Sequence, residues 1–188
     1  MGAALTFSAV VQPHLELRHW PLIPLAAGLA VAQGLRAVGV EPALKWPNDV
    51  LLGGNKVAGI LVERVGDPAC AVVGIGINVD LQPEELPVPT ATSLAIAGAR
   101  TSRAEVFGAV LAALDHHMTT LQHSPETTLA HYRTACDTLG REVEAHLPGE
   151  IRERGQAVGI DESGRLQIAV GDRTLAVAAG DVIHLRPA

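Results

Sequence analysis

Lys56 follows a Gly53-Gly54-Asn55 turn and leads straight into the apolar run Val57-Ala58-Gly59-Ile60-Leu61. An ammonium group at the mouth of a sheet can hold a carboxylate or a phosphate, acting as a point charge against negative charge that grows during acyl or phosphoryl transfer. Gly59 and Gly76 interrupt two strands where a flat ligand could approach the backbone and have its polar edge read by amide groups. Asp49 ends a Trp46-Pro47-Asn48-Asp49 turn, and its carboxylate could orient or deprotonate an attacking amine or accept a metal held by a nucleotide. Asn48 can hydrogen-bond in either sense, Trp46 offers a ring for stacking, and Asn78 closes the second glycine-punctuated strand. Lys45 is either a phosphate contact or an ordinary strand-end charge. Each residue also has a plainer reading: a solvated hairpin lysine, a bulge or packing glycine, a Pro-Asn-Asp turn that needs no ligand. Together they describe a ligand lying across a sheet.

Other chemistries are excluded by spacing. Gly74-Ile75-Gly76-Ile77-Asn78 lacks the third glycine and following helix of a dinucleotide fingerprint, and Gly53-Gly54-Asn55-Lys56 lacks the spacing and Ser/Thr of a phosphate-binding loop. His116, His117 and His123 contain no i, i+4 pair of the zinc-binding kind and read as a solvated polar face. No Ser or Cys nucleophile with a placed base is identifiable.

The elements that must position these groups follow from periodicity and turn chemistry. Ala3 to Val11 partly alternates and reads as a strand, and Pro21 and Pro24 announce a helix to about Val38 that is apolar almost all round and therefore buried. Ala43 to Lys45, Val50 to Leu52, Val57 to Glu63 and Cys70 to Val79 read as strands, with a hairpin at Gly53-Gly54-Asn55 and a turn at Gly66-Asp67-Pro68. Leu81 to Arg100 is a proline-containing loop. Ser102 and Glu105 form a capping box ahead of a helix carrying Val106, Val110, Leu111, Leu114, Met118 and Leu121 on one face. Ser124-Pro125 opens a further helix with Leu129, Tyr132, Cys136 and Leu139 along one side and Gly140 as terminator. Beyond it come short strands at Val143 to Leu147, Gln156 to Ile160, Leu166 to Val170, Leu175 to Val177 and Val182 to Leu185, whose spacing fits a small closed β-barrel. The boundary falls near Leu139.

With 188 residues, 48% of them apolar, the chain can bury a substantial core, as one domain or one plus a small second one. A formal charge of −6 without a basic cluster argues against a nucleic-acid-binding face. Cys70 and Cys136 lie in apolar contexts and read as buried thiols in a reducing cytoplasm. No run is long enough to span a membrane.

Set in order, Lys45-Trp46-Pro47-Asn48-Asp49, Lys56 to Glu63 and Gly74 to Asn78 closely resemble the catalytic domain of biotin–protein ligases, the enzymes that biotinylate acetyl-CoA carboxylase. The likeness continues through Ala91-Thr92-Ser93-Leu94, Tyr132-Arg133 and Leu139-Gly140-Arg141. It extends into Gly155 to Asp161, Gly164-Arg165-Leu166 and Gly180-Asp181-Val182, which look like the family's C-terminal barrel. The resemblance implies an α+β fold: a mixed sheet with helices on one face, class II synthetase-like, over residues 1–139, and a small SH3-like β-barrel over residues 140–188. It implies biotin and ATP as substrates, Mg2+ arriving with ATP, no protein-held metal, a biotinyl-5′-AMP intermediate, and transfer to a lysine of the biotin carboxyl carrier protein. Lys56 and Asp49 match the catalytic pair, Lys56 toward the biotin carboxylate and α-phosphate and Asp49 toward the incoming lysine. Gly59, Leu61 and Gly76, with Lys56, match the biotin channel; Lys45, Trp46, Asn48 and Asn78 match the adenylate border. The family's Gly-Arg-rich loop, of the GRGRxGR type, lies just upstream of the strand matched by Ala3 to Val11, whereas this sequence starts at Met1-Gly2. The expectation is an N-terminally truncated form with weak or no adenylate synthesis, and an exposed sheet edge that favours a homodimer. A non-catalytic binding module and a lipoate or octanoyl transferase are the alternatives.

Overall fold

Alternation with a period of two puts Ala71, Val73, Ile75 and Ile77 of one strand on a single buried face and leaves Gly74, Gly76 and Asn78 on the other. That strand, β5 (Cys70–Asn78), belongs to a five-stranded sheet with β1 (Ala4–Val11), β2 (Ala43–Lys45), β3 (Asp49–Leu52) and β4 (Asn55–Val65), in the order β1-β5-β4-β3-β2. The computed structural model describes residues 3–66, 69–147, 149, 151–178 and 181–185. The expected Asp67-Pro68 turn, Pro148, Gly180 and the Met1-Gly2 start lie outside the described residues. All four strand pairings are antiparallel, and the sheet's mixed character is confined to two isolated parallel bridges, Leu44 with Cys136 and Lys56 with Ala91.

The inner face of the sheet is covered by helices. A 3-10 turn at Leu17–Leu22 leads into α1 (Ile23–Ala37), with Pro24 in its first turn where a missing N–H costs nothing. α1 is buried nearly all round because it lies against β4 on one side and against α2 (Arg103–His123) and α3 (Pro125–Ala135) on the others. The capping box at the start of α2 forms as read: the Glu105 N–H donates to Ser102 Oγ at 3.2 Å and the Ser102 N–H to Glu105 Oε2 at 2.7 Å. Val106, Val110, Leu114, Met118 and Leu121 are buried, but Leu111 is 42% exposed, being rotated about 100° from Val110 onto the rim of the stripe.

α3 is shorter than its side-chain pattern suggests. It stops at Ala135, and Cys136, Leu139 and Gly140 lie beyond it, because the chain turns extended at Cys136 to bridge Leu44 on the outer edge of β2. Of the two free cysteines, Cys136 is buried and Cys70 only partly so. A second antiparallel sheet follows, from β6 (Glu142–Leu147), β7 (Ile151–Ile160), β8 (Leu166–Val170), β9 (Arg173–Val177) and β10 (Asp181–His184), in the order β10-β6-β7-β8-β9. Among the described residues no pairing joins β9 to β10. Val143, Ala145, Ala157, Leu166 and Ile168 continue the same apolar cluster that fills the first sheet and its helices. No helix among the described residues is long and apolar enough to cross a membrane.

Two consequences are measurable. At Gly34 on α1 a Cβ would stand 2.6 Å from Val110 Cγ2 and 2.8 Å from the Val110 backbone, so Gly34→Ala should force α1 and α2 apart. A loss of about 1–3 kcal/mol in urea unfolding is expected. His117 is buried with Nε2 2.8 Å from Gln33 Oε1, while Nδ1 has no partner among the described residues. Burial first, then the neighbouring His116 and His131, lowers its pKa to about 4. The unfolded chain therefore takes up a proton that the folded chain refuses, and stability falls as pH drops from about 6.5 towards 4. His117→Gln should flatten that part of the stability–pH curve.

Candidate functional site

Antiparallel register aligns one residue from every strand of the first sheet into a single row. Lys45 on β2 pairs with Asp49 on β3, Asp49 with Gly59 on β4, Gly59 with Gly76 on β5, and Gly76 with Thr6 on β1. A second row runs Leu61, Gly74, Ser8. This is the face turned away from the helices. Its middle has no side chains: a Cβ placed on Gly76 would meet nothing within 4 Å. Leu61, 62% exposed, supplies an apolar flank. The result is a bare backbone floor with two ammonium groups and one carboxylate at one end.

Lys56 reaches that face only because β4 is irregular. In a regular strand Lys56 and Gly59, three residues apart, would point to opposite faces. The register between β3 and β4 shifts, with Val50 opposite Ala58 and Leu51 opposite Lys56, so Val57 is the extra residue of a bulge. The bulge turns the lysine over the floor, placing its Nζ 3.2 Å from where a Gly59 Cβ would be and 2.5 Å from Asp49 Oδ1. Lys45 Nζ stands 3.9 Å from the other carboxylate oxygen, Oδ2. The segment 90–94 braces this geometry: the Lys56 N–H donates to Thr90 O and the Thr92 N–H to Lys56 O, each at 2.8 Å. The same segment receives the Asn78 side-chain amide on Thr92 O at 2.9 Å and sends the Leu94 N–H to Asn78 O.

The residues expected to meet a ligand do not all lie together. Lys45, Asp49, Lys56, Gly59, Leu61 and Gly76 lie together around the floor. Asn48 and Asn78 commit their amide groups to backbone carbonyls, Asn48 Nδ2 to Ile60 O at 2.7 Å, and so hold strands in place. Trp46 departs from the expectation of a stacking ring. It is 1% exposed, and its indole N–H donates to Gly164 O at 2.9 Å in the β7–β8 turn, because the ring is the apolar plug between the two sheets. Among the described residues no group of three or more His, Cys, Asp or Glu could hold a metal ion. Burial pushes the Cys136 thiol pKa up, which keeps it a poor nucleophile.

Beside the charged end lies a cavity of about 720 Å³, lined by Lys45, Asp49 and Lys56 from the first sheet and by Asp137, Arg141 and His184 from the connector and β10. His184 is held below its ordinary pKa by burial and then by Lys45 and Arg141, partly offset by Asp137. Of the connector and β10 residues, only Arg141 falls in a segment singled out in the sequence, Leu139-Gly140-Arg141; Asp137 and His184 carry no local signal. Sequence reasoning passed over one signal that counting supplies: the 188 residues contain two lysines, Lys45 and Lys56, and both flank Asp49. Thr6 and Ser8, the row ends on β1, are legible from alternation alone.

A glycine-floored antiparallel sheet backed by helices and joined to a small β-sheet domain defines the class, and comparison with known proteins agrees. Residues 2–80 match the biotin/lipoate A/B protein ligase family and residues 138–185 the biotin protein ligase C-terminal domain. A biotin--[acetyl-CoA-carboxylase] ligase of Mycobacterium tuberculosis is 43% identical over 177 residues, covering 92% of this chain and 65% of that relative. The chain thus spans just under two thirds of that relative's length. The biotin protein ligase of Aquifex aeolicus in complex with biotin and ATP superposes with a TM-score of 0.80 at 29% identity, over 98% of this chain and 79% of that one. A variant of the Aquifex protein in complex with biotin gives a TM-score of 0.81 at 30% identity, again over 98% and 79%. The chain belongs to the biotin protein ligase family.

The reassignment of Trp46 is open to direct measurement. Trp46→Phe removes the indole N–H and leaves Gly164 O buried without its donor. Urea unfolding should show a loss of about 1–3 kcal/mol, and the emission lost from parent to variant, which leaves only the half-buried Trp20, should be that of a buried ring.

Proposed function

We propose that this chain is the catalytic core of an ATP-dependent biotin–protein ligase, forming biotinyl-5′-AMP and passing the biotinyl group to a lysine of the biotin carboxyl carrier protein. The observation that carries the reading is the row Lys45–Asp49–Gly59–Gly76–Thr6, with Lys56 turned over it and Leu61 beside it. A thin, largely apolar bicyclic ligand fits a floor without side chains, and its carboxylate would be drawn to the ammonium end. In the first step a carboxylate oxygen of biotin attacks the α-phosphorus of ATP and pyrophosphate departs. Lys56, and Lys45 behind it, offset the charge that gathers on the non-bridging oxygens. In the second step the carrier amine attacks the anhydride carbonyl, a C–N bond forms, AMP departs, and the amine proton passes to Asp49. Mg2+ bound to the triphosphate would supply charge neutralisation there; Asp49, shared by both lysines, is a single carboxylate and does not make a metal site by itself.

The relative from Mycobacterium tuberculosis carries acetyl-CoA carboxylase in its name, and the Aquifex structure holds biotin and ATP; both favour these substrates here. Among alternatives of the same fold, a lipoate or octanoyl transferase is disfavoured by the match of residues 138–185 to the biotin ligase C-terminal domain. Competition between biotin and lipoate decides that point. A non-catalytic module would bind biotin saturably and release no pyrophosphate. The working compartment in this reading is the cytoplasm.

Activity is to be assayed as ATP-dependent biotinyl transfer, both in the chain as given and in a form extended upstream with a family Gly-Arg-rich segment. Transfer that disappears in Lys56→Ala supports the reading; no transfer by either form overturns it. Calorimetry supplies the second measurement. Gly76→Ala has open space for its methyl group and should leave the unfolding midpoint unchanged. Biotin affinity should nonetheless fall about tenfold or more, since the methyl occupies the floor.

A further inference from the structure

β2 is a three-residue edge strand, too short to hold Lys45 by its pairing with β3 alone. Its outer edge is closed by the connector that follows α3. The Asp137 N–H donates to Leu44 O at 2.8 Å, and the Trp46 N–H donates to the side-chain oxygen of Thr138 at 3.0 Å. Lys45 therefore sits between two residues whose backbones are both held by neighbours 137 and 138. Thr138 is fully buried, and its Oγ1 also lies 2.9 Å from His184 Nε2, on the last residue of β10. The hydroxyl does for the Trp46 amide what the carbonyl of a further strand would do. Unlike a carbonyl, it is itself held in place by a side chain of the second sheet. Its single proton goes to Nε2 when the imidazole carries its own proton on Nδ1; with the proton on Nε2 the ring donates to the hydroxyl instead, and either way the contact holds the oxygen in place.

We propose that Thr138 is a positioning residue for this site: its buried hydroxyl, held by His184, fixes the backbone at Trp46 and with it the place of Lys45 beside Asp49. The second sheet thereby sets the geometry of the charged end of the floor, whereas Gly59, Gly76 and Leu61 lie on inner strands that do not depend on this contact. The functional half of the proposal rests on the ligase reading given above; the structural half does not.

The test compares the parent with Thr138→Val, which removes the hydroxyl, and Thr138→Ser, which keeps it. Because the chain has two lysines, amine-directed labelling followed by mass spectrometry reads Lys45 and Lys56 separately. Thr138→Val should change the Lys45 labelling rate several-fold and leave Lys56 near the parent rate, and Thr138→Ser should restore Lys45. In the active form of the chain, biotin Kd should stay within about twofold of the parent while kcat for biotinyl transfer falls about tenfold or more, again restored by Ser. His184→Phe, which removes the ring nitrogens while filling the space, should shift both readouts in the same direction by less, and it serves if Thr138→Val does not fold. Parent-like Lys45 labelling and kcat in a folded Thr138→Val protein overturn the proposal. So does a loss of biotin binding and of both lysine protections in proportion, which marks general destabilisation. If neither the parent nor its upstream-extended form transfers biotin, the ligase reading fails, and the Lys45 labelling ratio still decides whether Thr138 positions that lysine.

Discussion

Everything at the open face of the sheet turns on Asp49 holding two ammonium groups at once, Lys56 on one oxygen and Lys45 on the other. A carboxylate placed between two cations keeps both from swinging into solvent and leaves a net positive corner for an anionic ligand. The three side chains arrive there by different routes: a short edge strand, a turn of a neighbouring strand, and a bulge that redirects a third. Removing any one of these backbone features would leave charges that cannot meet.

The floor beside that corner requires the opposite of good strand chemistry. Glycine weakens a strand interior, yet Gly59 faces Gly76 across β4 and β5, and Gly74 lies two residues before Gly76 opposite Leu61. The compensation is on the other face, where Val73, Ile75 and Ile77 bury against α1 and its neighbours. One face of the sheet carries the stability and the other carries the recognition. That division explains why α1 must be apolar all round: it lies between the sheet that presents the site and the two helices that cover it.

The second sheet is tied to the first sheet and to α3 through polar contacts as well as apolar ones. Trp46 donates its indole proton to Gly164, and Arg133 donates to Ile160 O from both Nε and Nη2. The first of these bonds sits in the continuous apolar cluster, where an unmet partner is costly, and the second is half-buried at its rim. Sheet-to-sheet placement and the geometry of the charged corner are thus one problem.

Most of the elements were legible in the sequence, since strands with a period of two, a capping box and glycine turns announce themselves locally. The roles of Asn48 and Trp46 were not. A Trp-Pro-Asn-Asp turn reads equally well as a ligand edge or as plain turn chemistry, and only the packing of the ring against Gly164 separates the two. The end of α3 was overread because Leu139 keeps helical spacing with Tyr132 and Cys136, although backbone pairing with Leu44 had already drawn the chain out of the helix. Nothing in Lys56-Val57-Ala58-Gly59 marks Val57 as a bulge. By itself the sequence determined which residues could do chemistry and that a bare sheet face lay between them, because residue type and alternation are local properties. Tertiary structure alone decided which of them meet: the register of five strands, the bulge that turns Lys56, and the buried Thr138–His184 contact all arise from pairing between residues far apart in the chain.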